Sequence, residues 1–481
     1  MAAMTQGPVK PELLKRKDLQ DALIEHDFAA VFSLLKKWGG LSQNRIATAC
    51  QLTPGKVSMI IKGTHQVTSY DVIARIADGL RIPGHMVGLT ARPWETHDDT
   101  EGPPPEPTVP AGTAAPWTPA AAVQLAARMT RTDLLMDRRT ASRSIATVTI
   151  GAALLDGVEG WLQPAAAGER RRVGRLGQRE IEQLEEIARL MRQWDRQHGG
   201  GLRRRAVVGQ LAEVADALRE PQAEEIERRL YCVMADLAGT AAGMAWDSGM
   251  HRTAQDYYRL ALRAAHAGDD RAFGANVLAA MARQMLYRDQ DRPQDALELV
   301  RLAQTGARGV AGPRVRAMLL TREAWAYASC GRPAAFHRAT EEAAETLADA
   351  RDGEEPYWID YFGAAELAGV TGGRLLDMAR HEPARYAGAA AEKIRTAVEA
   401  RGTEAARSHA LDWAGLAECS WLMGDIRIAL EQTHHAIDVA ALTQSTQVRT
   451  KLGRLYPYTV GHSASGKVRE ARHRIRDLLS T

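Results

Sequence analysis

The chain has 481 residues, 45% hydrophobic and 25% charged, with a net charge of only +3. That is enough apolar material for two or three globular domains with substantial cores, so disorder is not the default expectation. No apolar run is long enough to span a membrane and the N-terminus lacks the apolar core of a secretory signal, so a cytoplasmic location and no membrane partner are expected. Cys50, Cys232, Cys330 and Cys419 lie far apart without a CxxC pair, which argues against a disulfide framework or a zinc cluster.

The charge is unevenly placed. Residues 1–90 hold 11 Lys and Arg against 7 Asp and Glu, and positions 31–70 contain Lys36, Lys37, Arg45, Lys56 and Lys62 with no acid at all. A basic surface without acids of its own suits a negatively charged partner.

In chain order, residues 1–26 read as an N-terminal extension. "DFAAVFSLLKKW" then places Phe28, Val31, Phe32, Leu34 and Leu35 on one broad apolar face, and Gly39 and Gly40 stop the helix. Ser42 caps a short helix with Ile46, Ala47 and Cys50 inward. After the turn at Gln51 and Leu52, Thr53 caps a second short helix that opens on Pro54, the first helical position where proline is tolerated. Its inward residues are Val57, Ile60 and Ile61, with Gly63 at its end. Ser69 caps a further helix carrying Val72, Ile73, Ile76, Ala77 and Leu80, and Pro83 begins one last turn. Five helices are therefore expected in this small domain, residues 27–92.

The stretch "LSQNRIATACQLTPGKVSMIIKGTHQVTSYDVIARIADGL" resembles the phage-repressor-like, Xre-type helix-turn-helix domain in its Leu-Ser-Gln start, its inward Ile46 and Ala47, its short turn and its Val57 and Ile60 anchors. The resemblance implies that residues 54–62 lie in the DNA major groove while the preceding helix abuts the phosphate backbone. Gln43 falls where the family contacts a phosphate, with Asn44 and Arg45 beside it. Thr53, Gly55, Lys56, Ser58 and Met59 fall at the base-facing helix, and Lys62 reaches a phosphate. Independently of family, a helix N-terminus offers unpaired N–H groups, basic side chains release condensed cations from DNA, and Lys and Ser can bond to base edges. Gln51 departs from the pattern: it stands where many relatives have glycine, which a left-handed turn favours.

Low hydrophobicity and many prolines mark "THDDTEGPPPEPTVPAGTAAPWTP" as a flexible linker, residues 93–120. A connecting helical segment follows over 121–176. Within it "RSIATVTIGAALL" is ambiguous between strand and helix, and the Arg138-Arg139 pair only superficially resembles an export signal.

From residue 177 to the C-terminus the chain reads as consecutive helix pairs. Gly249, Asp291, Gly331 and Gly424 are each followed five residues later by Ala254, Ala296, Phe336 and Ala429, and twelve later by Ala261, Ala303, Ala343 and Ala436. Small residues seven apart occupy one helix face and admit a neighbouring helix closely. A further degenerate unit is expected around Ala390 and Ala397. The pattern resembles degenerate tetratricopeptide repeats, which implies an α-solenoid with a concave groove lined by the first helix of each pair. Candidate effector-groove residues are Trp246, Arg283, Gln284, Tyr287, Arg322, Trp325, Tyr327, Glu366 and Trp413. "EEPYWIDYFGAAELAGVTGG" gathers Tyr357, Trp358, Tyr361 and Phe362 for a ligand, a subunit contact or packing.

No catalytic constellation emerges. His409, His434 and His435 have no placed partner, no HExxH, GxSxG or P-loop is present, and "QHGGGLRRR" follows no strand and reads as a turn. The chain is expected to be an all-α, non-enzymatic protein without metal or cofactor. It would be a sequence-specific regulator of transcription that binds double-stranded DNA, as a homodimer on the usual two-fold half-sites, and its repeats would dimerise or sense a peptide, small molecule or protein. The combination resembles bacterial Xre-type regulators with tetratricopeptide sensor domains, and the Ala, Arg and Gly usage suggests a high-GC bacterium. The alternative is an interaction scaffold whose N-terminal domain is a docking module.

Overall fold

A computed structural model describes residues 8–9, 11–65, 67, 70–87, 116–135, 148–164, 176–198, 204–287, 292–402, 405–443, 445–462 and 465–480. Among them every regular element is helical. Most of the Pro-rich segment, the Arg138-Arg139 pair and Asp291 lie outside the described residues. The chain forms two compact units: residues 1–104 with 410–442 and 447–481, and residues 105–409 with 443–446.

In the first unit, α1 (Pro11–Leu14) and α2 (Lys17–Ile24) precede α3 (Phe28–Gly39), α4 (Gln43–Ala49), α5 (Pro54–Ile61) and α6 (Tyr70–Leu80), with a 3-10 turn at Gly84–Val87. Local chemistry sets these boundaries. Asp27 accepts the Ala30 amide at 2.9 Å and Gly40, at φ 64°, ends α3 in a left-handed conformation. Phe28, Val31, Phe32, Leu35, Ile46, Ala47, Cys50, Val57, Ile60, Ile73, Ile76 and Leu80 share one buried core, while Ile61 and Leu34 are half-buried at its edge. Val9, Leu13, Leu19 and Leu23 join the same core, so the N-terminal extension is part of the packing.

The C-terminal elements belong to this unit as well. Ala410, Ala414, Ala417 and Trp421 pack with Ala429, Ala436 and Ile437 and with Val448, Leu452, Tyr456, Val468 and Ile475. Tyr456 donates to the Ile24 carbonyl at 3.2 Å. The fully buried Arg472 reaches Glu25 at 2.8 Å and the Thr459 carbonyl at 2.8 Å. Both ends of the chain thus build one body.

The second unit begins with α7 (Pro119–Leu135), α8 (Ala152–Asp156), α9 (Gln178–His198) and α10 (Arg204–Ala217). Four antiparallel pairs follow: α11 (Glu224–Asp247) with α12 (His251–Ala267), α13 (Arg271–Met285) with α14 (Pro293–Gly306), α15 (Pro313–Ser329) with α16 (Pro333–Ala348), and α17 (Ala364–Ala379) with α18 (Pro383–Ala400). Packing in consecutive pairs is the order of a helical solenoid. The small-residue stripe explains the close approach: Ala254, Ala261, Ala296, Ala303, Ala343, Ala390 and Ala397 are all fully buried, and Gly249 and Gly331 turn the chain at φ 77° and 68°.

The segment before the repeats is held by its own contacts. In the described part of "RSIATVTIGAALL" no strand forms; Thr149 exchanges two hydrogen bonds with Gln255, at 2.7 and 2.8 Å, and α8 follows. Trp161 is inserted between α13 and α14, where a Cβ on Gly274 or Gly306 would meet its ring at 2.1 and 2.2 Å. Asp133 of α7 pairs with Arg204 of α10 and accepts the Tyr257 hydroxyl at 2.7 Å. Arg204, the second of the three arginines in "QHGGGLRRR", is therefore engaged in a buried pair.

Candidate nucleic-acid interface

The helix-turn-helix is assembled from α4, the turn at residues 50–53, and α5. Ser42 Oγ accepts the Arg45 amide and Thr53 Oγ1 accepts the Lys56 amide, each at 3.2 Å, so both helices start where their caps dictate. The turn closes through Leu52 N–H to the Ala47 carbonyl at 2.8 Å. Gln51 takes a left-handed conformation, φ 53°, and the Arg75 guanidinium donates to its carbonyl at 3.3 Å. The strain anticipated for a non-glycine residue here is present, and α6 contributes a bond that holds it.

A second constraint was not anticipated. Gly79 lies so close to the end of α4 that a Cβ would sit 1.9 Å from the Ala49 carbonyl oxygen. A glycine inside a helix was the available signal. Burial also keeps the Cys50 thiol neutral, raising it to about 12.

Around this frame Asn44, Arg45, Thr53, Gly55, Met59 and Lys62 are exposed, while Gln43, Lys56 and Ser58 are half-buried. Met59 is 46% exposed, unusual for an apolar side chain on a short helix. Arg45, Lys56 and Lys62 form no ion pair with any described residue. With only seven residues α4 carries a small helix dipole, and Arg45 stands exposed in its first turn. Beyond this face, Trp38 is 52% exposed with Arg16 and Lys37 over its ring at 4.7 and 5.0 Å.

The effector-groove candidates separate. Trp246, Arg283 and Tyr287 come together: Tyr287 meets the Trp246 ring edge-on at 5.1 Å and the Arg283 guanidinium lies 5.9 Å from its centroid. Arg322 is buried and feels the charge of Arg283, while Gln284 donates to the His251 carbonyl at 3.0 Å. Trp325 lies under Arg374 at 3.7 Å, Tyr327 bonds Glu323, and Glu366 is paired with Arg401 at 2.7 Å. Trp413 belongs to the first unit, 4.1 Å from His435. The aromatic cluster serves packing in part: Trp358 meets Phe273 edge-on at 5.4 Å and its carbonyl accepts from Arg196. The sequence reading missed Asp195, Asp247 and Arg407, which join the same buried polar region.

The family model described as "Helix-turn-helix domain" matches residues 27–88. No curated protein and no solved structure matches the chain. The match coincides with α3 to the 3-10 turn, so the chain carries a helix-turn-helix domain, the hallmark of a DNA-binding regulator. Among the described residues no helix is long and apolar enough to cross a membrane.

Proposed function

We propose that the protein is a sequence-specific transcriptional regulator of the Xre type, acting as a homodimer, with α5 in the major groove and the helical repeats, tetratricopeptide-like in kind, as the effector-sensing part. The observation that carries this reading is the face of α4 and α5, where capped helix starts, exposed Met59 and basic side chains that form no ion pair with any described residue occur together. In this reading Gln43, Asn44, Arg45 and Lys62 engage phosphates and Gly55, Lys56, Ser58 and Met59 face base edges, with Thr53 at the helix start. Two copies supply the affinity that one eight-residue reading helix lacks. A helix-turn-helix domain on an all-helical chain supports a regulator over an enzyme.

The test is binding of the full chain to duplex DNA across a salt series. The expected result is a steep fall of affinity with salt, saturating at two chains per preferred site. Salt-independent binding, or none, would leave the domain as a protein-docking module.

A further inference from the structure

The first helices of three consecutive pairs, α11, α13 and α15, together with α9, enclose more cationic charge than they pair. Arg192 is matched by Asp236, Arg407 by Asp247 and Arg401 by Glu366. Arg322 has no such match. It is only 8% exposed, makes no hydrogen bond or ion pair with any described residue, and its Nε is buried without an acceptor. Among charged groups it feels Arg283, which repels it, and Glu366, which is already engaged by Arg401. Burial drives the Arg322 guanidinium below its ordinary value.

Two further donors nearby lack an acceptor, although the Arg283 guanidinium as a whole is hydrogen-bonded to Tyr258. The Arg283 Nε and the Trp246 indole N–H are both buried without an acceptor, and the two groups are neighbours. The acid that senses Arg283 is Asp195, whose Oδ1 is also buried without a partner and whose carboxyl burial pushes up to about 6. A buried guanidinium with neither acceptor nor counter-ion is strongly unfavourable, and buried donors in folded proteins are otherwise almost always satisfied. An oxyanion corrects both defects, since a carboxylate or phosphate accepts several N–H bonds and supplies the missing negative charge. Arginine suits this role because its donors form a rigid fork.

We propose that Arg322, Arg283 and the Trp246 indole N–H form a binding site for a small oxyanion-bearing molecule, a carboxylate or a phosphate, within the repeats. The site rests on the reading of the repeats as a sensor and gives its effector a chemical class. Asp195 sets a complementary acceptor beside the anion, so the preferred ligand carries a hydrogen-bond donor as well.

The test uses the full chain at pH 7.5, titrated with inorganic phosphate and with succinate against potassium chloride at matched ionic strength, followed by calorimetry and thermal midpoint. The expected result is saturable binding of one of the two, which distinguishes phosphate from carboxylate, together with a raised midpoint. Arg322→Met should lose at least tenfold in affinity and should melt no lower than wild type without the anion, because an unmatched buried charge has been removed. Arg322→Lys should retain part of the response. Should Arg322→Met fail to fold, Arg283→Gln is read in its place with the same expected loss. Wild type responding to both anions only as to chloride, or responding identically to the variant, overturns the site. If the anion binds but the affinity for duplex DNA does not move, the site stands and the sensor reading falls; if duplex binding persists without any anion response, the reverse holds.

Discussion

Replacing Gly79 with alanine should open the helix-turn-helix from behind. The new methyl would lie 1.9 Å from the Ala49 carbonyl oxygen and 2.5 Å from its carbon, both backbone atoms that no rotamer change can move. Relieving the overlap to an ordinary contact requires α6 and the end of α4 to part by about 1.5 Å. Overpacking of this kind typically costs about 1–3 kcal/mol, and the upper part of that range applies where backbone meets backbone. The shift also pulls on the Arg75 bond to the Gln51 carbonyl, which holds the left-handed turn. Amide exchange followed by mass spectrometry reads the effect locally: a loss of about 2–3 kcal/mol accelerates exchange in residues 43–62 by roughly thirty- to 150-fold. Gly55→Ala is the internal control, because nothing lies within 4 Å of its added Cβ. That change should slow exchange, by up to about 1 kcal/mol of added helix propensity. Unchanged exchange in Gly79→Ala, or equal damage from both substitutions, would refute the close approach.

Arg45→Ala and Lys62→Ala should weaken binding to every duplex and lower the salt slope by about one unit each, whereas Lys56→Ala and Ser58→Ala should cost about 1–3 kcal/mol on the preferred sequence; binding competitions with random duplex separate the two, and identical behaviour of all four counts against the assignment. His26 is buried against Tyr456 and Val87 and its imidazole is pushed down from 6.5 to about 3, chiefly by burial. Its neutral form therefore contributes stability that is present above pH 6.5 and lost as pH falls toward 3, by about 1.4 kcal/mol per unit, an upper estimate checked by urea midpoints at pH 7.5 and 5 for wild type and His26→Gln. Trp161→Ala should cost about 3–5 kcal/mol, since the slot beside Gly274 and Gly306 cannot collapse onto a methyl, and a thermal midpoint unchanged from wild type would contradict it.

How much of this was legible depended on the distance over which each signal acts. Ser42 and Thr53 act three residues away and Pro54 opens its own helix, so α4 and α5 of the helix-turn-helix could be placed from the sequence with their caps. The alanines at 254, 261, 296 and 303 were legible through recurrence, because each pair must solve the same packing problem with the same small side chains. Trp161 was not legible: its partners Gly274 and Gly306 lie more than a hundred residues away, and neither carries a local sign of what fills the space above it. Charged pairs between distant helices were illegible for a related reason. Arg192 and Asp236 carry no local sign of their pairing in the sequence, and only the stacking of α9 on the repeat helices brings them together, with Asp236 buried. Among the groove candidates, Trp246 and Arg283 are neighbours and Arg322 feels the charge of Arg283, whereas Glu366 and Trp325 are taken up by Arg401 and Arg374.

The participation of both chain ends in one unit has a consequence for how the DNA-reading helices can be controlled. If residues 1–104 were an independent module, cutting the Pro-rich segment would set them free. Instead, Ile24, Glu25 and His26, just ahead of α3, meet Tyr456 and the fully buried Arg472 from the C-terminal elements. Arg472 is held there by the Thr459 carbonyl and hydroxyl, at 2.8 and 3.0 Å, so the cation is positioned whether or not Glu25 is present, and removing its side chain leaves both acceptors unpaired. A chain nicked within residues 93–104 should therefore keep its N-terminal fragment bound to the remainder in gel filtration at micromolar concentration. Arg472→Ala should release that fragment, and Glu25→Gln should weaken its retention less, since Glu25 is largely exposed and a partly screened pair contributes little. Free separation of the nicked wild-type fragments would show that the contact holds only while the chain is continuous.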